Sequence, residues 1–182
     1  MRKSLAAGAV LLMCALSACG GGSGGSDAAT AADKPSSGKD TAASFDPCKD
    51  ISAAEAEAVL GFPVTVKEVP GGGCSWGSEE NPRLASLSVG EAQESGGGIE
   101  SSKVGTQSQL EGEPQDVAGV GDAAYVVVGK GKQFATTQFQ AQGAIETNGK
   151  LILVGITQLG DSPEDEVRAQ AEAGLKLVGS KL

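Results

Sequence analysis

Between Gly20 and Ser44 the chain carries no Trp, Tyr, Phe, Leu, Ile or Val; Gly, Ser, Ala, Asp and Lys dominate. Such a stretch cannot bury enough apolar surface to offset the entropy of ordering it. A hydrophobic core must therefore come from Phe45 onward, and all six aromatic side chains (Phe45, Phe62, Trp76, Tyr125, Phe134 and Phe139) lie there. Residues 45–182 suit one domain. With so few aromatics, its core has to be built from Val, Leu, Ile and Ala.

The segment before the spacer explains why a chain would carry one. Arg2 and Lys3 precede the apolar run "LAAGAVLLMCAL" from Leu5 to Leu16, the pattern of a secretory signal. The run is too short to span a bilayer, which takes about 20 apolar residues. Leu16-Ser17-Ala18-Cys19 resembles the bacterial lipobox, in which the cysteine becomes the new N-terminus. That resemblance implies cleavage after Ala18, a signal segment of residues 1–18 and a diacylglyceryl group on the Cys19 sulfur. Two or more acyl chains hold a protein on a membrane where one is marginal. Residues 19–44 then read as a lipidated tether; a Gly/Ser-rich chain of that length spans on average roughly 25–30 Å. The expected location is the extracytoplasmic face of the cell membrane.

Removing residues 1–18 takes away Arg2 and Lys3 and leaves 12 basic against 23 acidic side chains, a formal charge of −11. Such a chain gains nothing from a phosphate backbone, so nucleic acid is not expected as a partner. Anionic head groups would repel it as well, which leaves membrane attachment to the acyl chains. Four cysteines have three fates: Cys14 leaves with the signal, Cys19 takes the lipid, and Cys48 and Cys74 remain. Outside the reducing cytosol the latter two are expected to form a disulfide. A zinc site would need two more ligands, and the chain has no histidine.

Hydrophobic patterning supplies the elements. "SAAEAEAVLG" (52–61) predicts a helix, with Ser52 as cap, Glu55 as its capping-box partner and Gly61 at the end. "FPVTVKEV" (62–69) alternates like a half-buried strand, "PGGG" (70–73) turns the chain, and "CSWGS" returns as its partner. "RLASLSVG" (83–90) reads as a strand on Leu84, Leu87 and Val89. Residues 91–118 offer Ile99, Val104 and Leu110 to a core, as a mobile crossing or as one weak helix around 99–110. Strands follow at 123–129, 132–142 and 144–157, the last interrupted by Asn148-Gly149, a strong hairpin signal. "SPEDEVRAQAEAGLKLV" (162–178) predicts a helix capped by Ser162, with Pro163 in the first turn. Val167, Ala171, Leu175 and Val178 form its apolar stripe, and Glu164 faces Arg168 on the wet side. The expected fold class is α+β: one domain, a mainly antiparallel sheet packed by a short N-terminal and a longer C-terminal helix.

Motifs that carry chemistry are scarce. "GVGDAA" (119–124) mimics a dinucleotide fingerprint, but the strand "YVVV" follows where a helix should open, so turn glycines are the better account. "TNGK" lacks the first glycine and the Ser/Thr of a phosphate loop. Without histidine, Ser-His-Asp and Cys-His catalysis are excluded. Ser101, Ser102 and Lys103 offer a serine–lysine pairing only between near neighbours. A carboxylate hydrolase would draw on Glu79, Glu80, Glu91 and Glu94, which cluster in loops and read as solvated charge. "EGEPQD" (111–116) lacks the spacing of a calcium loop. No catalytic residue, metal or cofactor is expected. Trp76 and Tyr125, each able to present an apolar body and a polar tip, stand as candidates for a binding surface, against the plainer reading that Trp76 packs over the disulfide.

The order of landmarks, "FDPCKDISAAEAEAVLG", "GCSWG", "VAGVGDAAYV", a strand hairpin and a C-terminal helix, resembles the actinobacterial lipoproteins of the domain of unknown function 3558 family. The likeness covers about residues 45–180. It rests on Asp46-Pro47-Cys48 before a helix, Cys74 with Trp76 two residues on, and Gly119, Gly121, Asp122 and Ala124. It implies a secreted, lipid-anchored α+β domain with paired cysteines and no established activity. The function expected is a non-catalytic binding or accessory module of the cell envelope, with an envelope protein, a cell-wall component or a small ligand as partner. A regulatory or sensory lipoprotein acting on a neighbouring membrane protein, and a carboxylate-dependent envelope hydrolase, are the alternatives.

Overall fold

The computed structural model describes residues 44–92, 97–132 and 137–182. The chain divides into two units, Met1–Asp40 and Thr41–Leu182; the described residues all belong to the second, and residues 1–18, Cys19 and nearly all of the tether lie outside them. The elements run α1 (Pro47–Asp50), α2 (Ala53–Leu60), β1 (Thr65–Val69), β2 (Gly73–Gly77), β3 (Ser86–Glu91), α3 (Gly98–Gln109), β4 (Gln115–Asp116), β5 (Ala123–Lys130), β6 (Phe139–Thr147), β7 (Lys150–Thr157) and α4 (Glu164–Gly179). The seven strands form one antiparallel sheet in the order β1-β2-β3-β7-β6-β5-β4. This is the α+β architecture that the sequence predicts.

The sheet separates two cores. Strand β5 is buried along almost its whole length: Ala124, Val126 and Val128 face one side, Tyr125 and Val127 the other. Its unbroken "AAYVVV" is the signature of a strand covered on both faces. The larger core joins Leu87, Val89, Ile145, Val154 and Ile156 to Val167, Leu175 and Val178 of α4, so the predicted helical stripe lies on the sheet. The smaller core gathers Ile99, Leu110, Tyr125, Val127 and Ala144 beneath α3.

Helix α2 carries the predicted capping box: Glu55 N–H donates to Ser52 Oγ at 3.3 Å and Ser52 N–H to Glu55 Oε2 at 2.9 Å. Gly61 closes it in the left-handed region, at φ 84°, where a side chain would be strained. Lys181, just beyond α4, donates to the other Glu55 oxygen at 2.6 Å. The hydrogen bond from Lys181, followed by those from the Ser52 N–H and hydroxyl, lowers the Glu55 pKa from 4.5 to about 2. A carboxylate held below its unfolded value stabilises the fold above that value, and the contribution disappears as pH falls through the folded one. Urea titration should show Glu55→Gln less stable than the parent at neutral pH, with the gap closing as the pH falls from 4.5 towards 2. A gap that does not change with pH would contradict the assignment.

Several local expectations are corrected. The 62–69 strand is not half-buried: Val64 is buried just ahead of it, but β1 itself is an exposed edge with Val66 48% accessible. Leu84 stays outside β3 and is exposed. The two runs 132–142 and 144–157 do not break at Gly143; β6 passes straight through it, paired with Val126 and Val154, and a Cβ there would meet first the Tyr125 carbonyl of β5 and then Leu175 Cδ1 of α4. Residues 133–136 of the predicted strand lie outside the described residues. Ser162 does not cap α4: Pro163 occupies the cap position without a side-chain bond, and Arg168 pairs with Glu164 at 2.7 Å. Of the two readings of 91–118 the helix is realised, from Gly98 to Gln109, yet Val104 points to solvent.

Candidate functional site

Trp76 and Tyr125 are the first residues to place, and both are fully buried. Neither presents a binding surface. Trp76 shares the face of β2 with Cys74, in the larger core. Tyr125 points at α3, where its hydroxyl lies 2.8 Å from both Ser102 Oγ and Thr106 Oγ1. Those bonds fix α3 on the sheet despite its few apolar residues, because a buried hydroxyl left unpaired is costly. Cys48 and Cys74 are joined, with an S–S distance of 2.01 Å and a Cα–Cα distance of 5.3 Å.

The lesser candidates disperse to separate partners. Ser102 bonds Tyr125, whereas Lys103 turns to Glu100 at 3.0 Å and to Asp116 at 3.1 Å. The hydrogen bond to Glu100, then that to Asp116, raises the Lys103 pKa, the opposite of what a general base needs. Glu79 and Glu91 sit in exposed ion pairs with Lys67 and Lys150; Glu80 is exposed and Glu94 lies outside the described residues. In the 111–116 loop, Glu113 accepts from Gln107 while Asp116 meets Lys103. Among the described residues no three His, Cys, Asp or Glu side chains are placed to hold a metal ion, and no helix is long and apolar enough to cross a membrane.

The landmark residues are also placed. Asp46 caps α1 by accepting from Cys48 N–H at 3.1 Å. Gly119 and Gly121 take φ of 76° and 59° in the turn before β5. Asp122 bonds that turn to the β6–β7 hairpin through Asn148 N–H at 2.9 Å. "GVGDAA" is thus a structural turn locked to the hairpin at Asn148-Gly149.

Two cavities stand out among the described residues. The first, about 600 Å³, lies on the α3 side of the sheet, where α3 packs chiefly on β5 and β6, reaches β7 less and leaves part of β3 and β7 uncovered. Its floor is Ser88, Gly90, Leu153 and Gly155, and Gly105 and Gln109 of α3 form one wall. Ser88 donates to the Gly155 carbonyl at 3.3 Å, and Glu91, paired with Lys150, adds a carboxylate to the lining.

The second cavity, about 640 Å³, sits where three connections meet: α2 to β1, β2 to β3, and β7 to α4. Leu60 and Ala85 are buried in its wall and Phe62 is half-buried. Arg83, Asp161 and Glu166 line it as well, and none of the three forms an ion pair among the described residues. Gln158, 3% exposed, donates from Nε2 to the Phe139 carbonyl at 3.1 Å. Gln170 donates from Nε2 to the Leu60 carbonyl at 3.3 Å, which orients its amide, and its buried Oε1 has no donor among the described residues. Sequence reading missed this site, although one signal was present: Gln158 continues the inward register of Val154 and Ile156, a core position for an amide.

The fold is an α+β module with an antiparallel sheet, stapled by one disulfide, with a cavity on its α3 face and another at one end. Comparison with protein-family models, curated proteins and solved structures finds no match.

Proposed function

We propose that this chain is an extracytoplasmic lipoprotein whose folded domain is a non-catalytic binding module of the cell envelope. The observation that carries the reading is Leu16-Ser17-Ala18-Cys19 at the end of a short apolar run, directly ahead of a stretch with no large apolar side chain. Acyl chains on Cys19 anchor the protein, residues 19–44 act as the tether, and the domain reaches an envelope protein, a cell-wall component or a small ligand. The Cys48–Cys74 pair supports this location, since such bridges persist outside the reducing cytosol. The binding role is supported by two cavities whose linings present amides, hydroxyls and unpaired charges. Membership of the domain of unknown function 3558 family is part of the same reading; Asp46, Cys48, Cys74, Gly119, Gly121 and Asp122 all serve the framework in ways that suit a shared fold.

Radiolabelled palmitate fed to expressing cells should enter the protein, and Cys19→Ser should abolish labelling and release the chain from the membrane fraction. A serine variant that stays membrane-bound, or a parent that takes up no label, would overturn the anchor.

A further inference from the structure

We propose that the cavity between the α2–β1, β2–β3 and β7–α4 connections binds a zwitterionic amino acid with an apolar side chain, free or within a short peptide. The inference rests on the binding-module reading and gives that module its ligand class. Three features converge. Arg83 and the two acids Asp161 and Glu166, all three exposed, line one cavity and form no ion pair among the described residues, so opposite charges border a common space without neutralising each other. A ligand carrying both signs spans that gap: its carboxylate takes the planar fork of Arg83, and its ammonium takes Asp161 and Glu166. Second, Gln170 Oε1 is buried and has no donor among the described residues. Its orientation is fixed because the Leu60 carbonyl can only accept, so the amide must direct Nε2 there and Oε1 elsewhere. The oxygen has almost no exposed surface, so a ligand ammonium or peptide amide reaches it only with a shift of the Gln170 side chain, and the cost of the unpaired acceptor favours that shift. Third, Phe62 and Leu84 line the same space, and Leu84 is exposed. An apolar ligand side chain would cover Phe62 and Leu84, in the manner of ligand sites that combine an apolar wall with a few polar contacts.

The test is calorimetric titration of the purified full-length protein with L-leucine, leucinamide (no carboxylate), 4-methylpentanoate (no ammonium), L-aspartate and trileucine. Leucine or trileucine should bind, and whichever binds tighter identifies the free or peptide form. Loss of either ligand charge should weaken binding by about tenfold or more, the weight of one charge-assisted contact. In Arg83→Ala, leucine and leucinamide should bind alike, while Asp161→Asn with Glu166→Gln should erase the penalty for lacking an ammonium. Arg83 is an exposed rim residue, so its variant should keep the parental melting temperature. Two results would sink the inference: no heat with leucine or trileucine at millimolar concentration, or equal binding of leucine and leucinamide by the parent. Palmitate labelling is read separately, so a labelled protein that binds neither ligand defeats this assignment alone. A protein that binds leucine but takes up no label defeats the anchor alone.

Discussion

Opening the Cys48–Cys74 bridge will lower the melting temperature of the domain by roughly 10 °C, from about 3.5 kcal/mol of lost stability for a loop of this length. The two cysteines are 26 residues apart in sequence, and the loop between them holds α2, β1 and the turn into β2. Unbridged, the unfolded chain regains the freedom of that loop. The folded chain loses more than the constraint, because the bridge ties the four-residue α1 to a fully buried position on β2. A helix of that length has no stability of its own, and Asp46 supplies its only side-chain cap. Circular dichroism melts with and without reductant will measure the shift, and Cys48→Ala with Cys74→Ala should reproduce it. Alkylation of both sulfurs in the absence of reductant, or equal melts under both conditions, would refute the prediction.

The second large effect concerns Trp76. The side chain is fully buried in the larger core, and its indole Nε1–H finds no acceptor. Trp76→Ala removes the largest buried side chain of the domain and should cost about 3–5 kcal/mol, as transfer energy plus a cavity. Trp76→Phe should cost far less, under about 1.5 kcal/mol, because the smaller ring still fills much of the space and carries no orphaned donor. The unpaired N–H penalises the native residue by about 1–3 kcal/mol, and phenylalanine escapes it. Urea unfolding followed by circular dichroism will separate the variants, provided the denaturant slope is unchanged; fluorescence cannot serve, since Trp76 is the only tryptophan. Equal losses for Ala and Phe would mean that the indole N–H has a partner and that its hydrogen bond holds the strand.

Residue patterns made much of this fold legible. The Ser52–Glu55 capping box, Gly61 at the helix end, the Asn148-Gly149 hairpin and the Val167–Val178 stripe are all where local rules put them. The misreadings share a cause. "FPVTVKEV" alternates like a strand with one wet face, but β1 is the sheet edge and contributes no side chain to either core. Gly143 reads as a break, yet it continues β6, paired on both sides and close against the Tyr125 carbonyl of β5. Val104 reads as core and is 68% exposed, since α3 docks through Ile99, Thr106 and the Tyr125 hydroxyl. In each case the neighbour that decides the matter is distant in sequence.

The same division holds for function. The lipobox-like cysteine, the spacer without apolar bulk, the acidic balance and the lack of histidine are properties of the chain itself, and the expectations about compartment and chemistry rest on them before any folding is considered. The cavity that unites Arg83, Asp161, Glu166 and Gln170 belongs to the tertiary structure. Periodicity records burial within one helix or strand, because a single backbone repeat sets which side chains share a face. A site assembled from three loops and the flank of a helix has no repeat to betray it. The distance between its parts is settled only when the sheet closes.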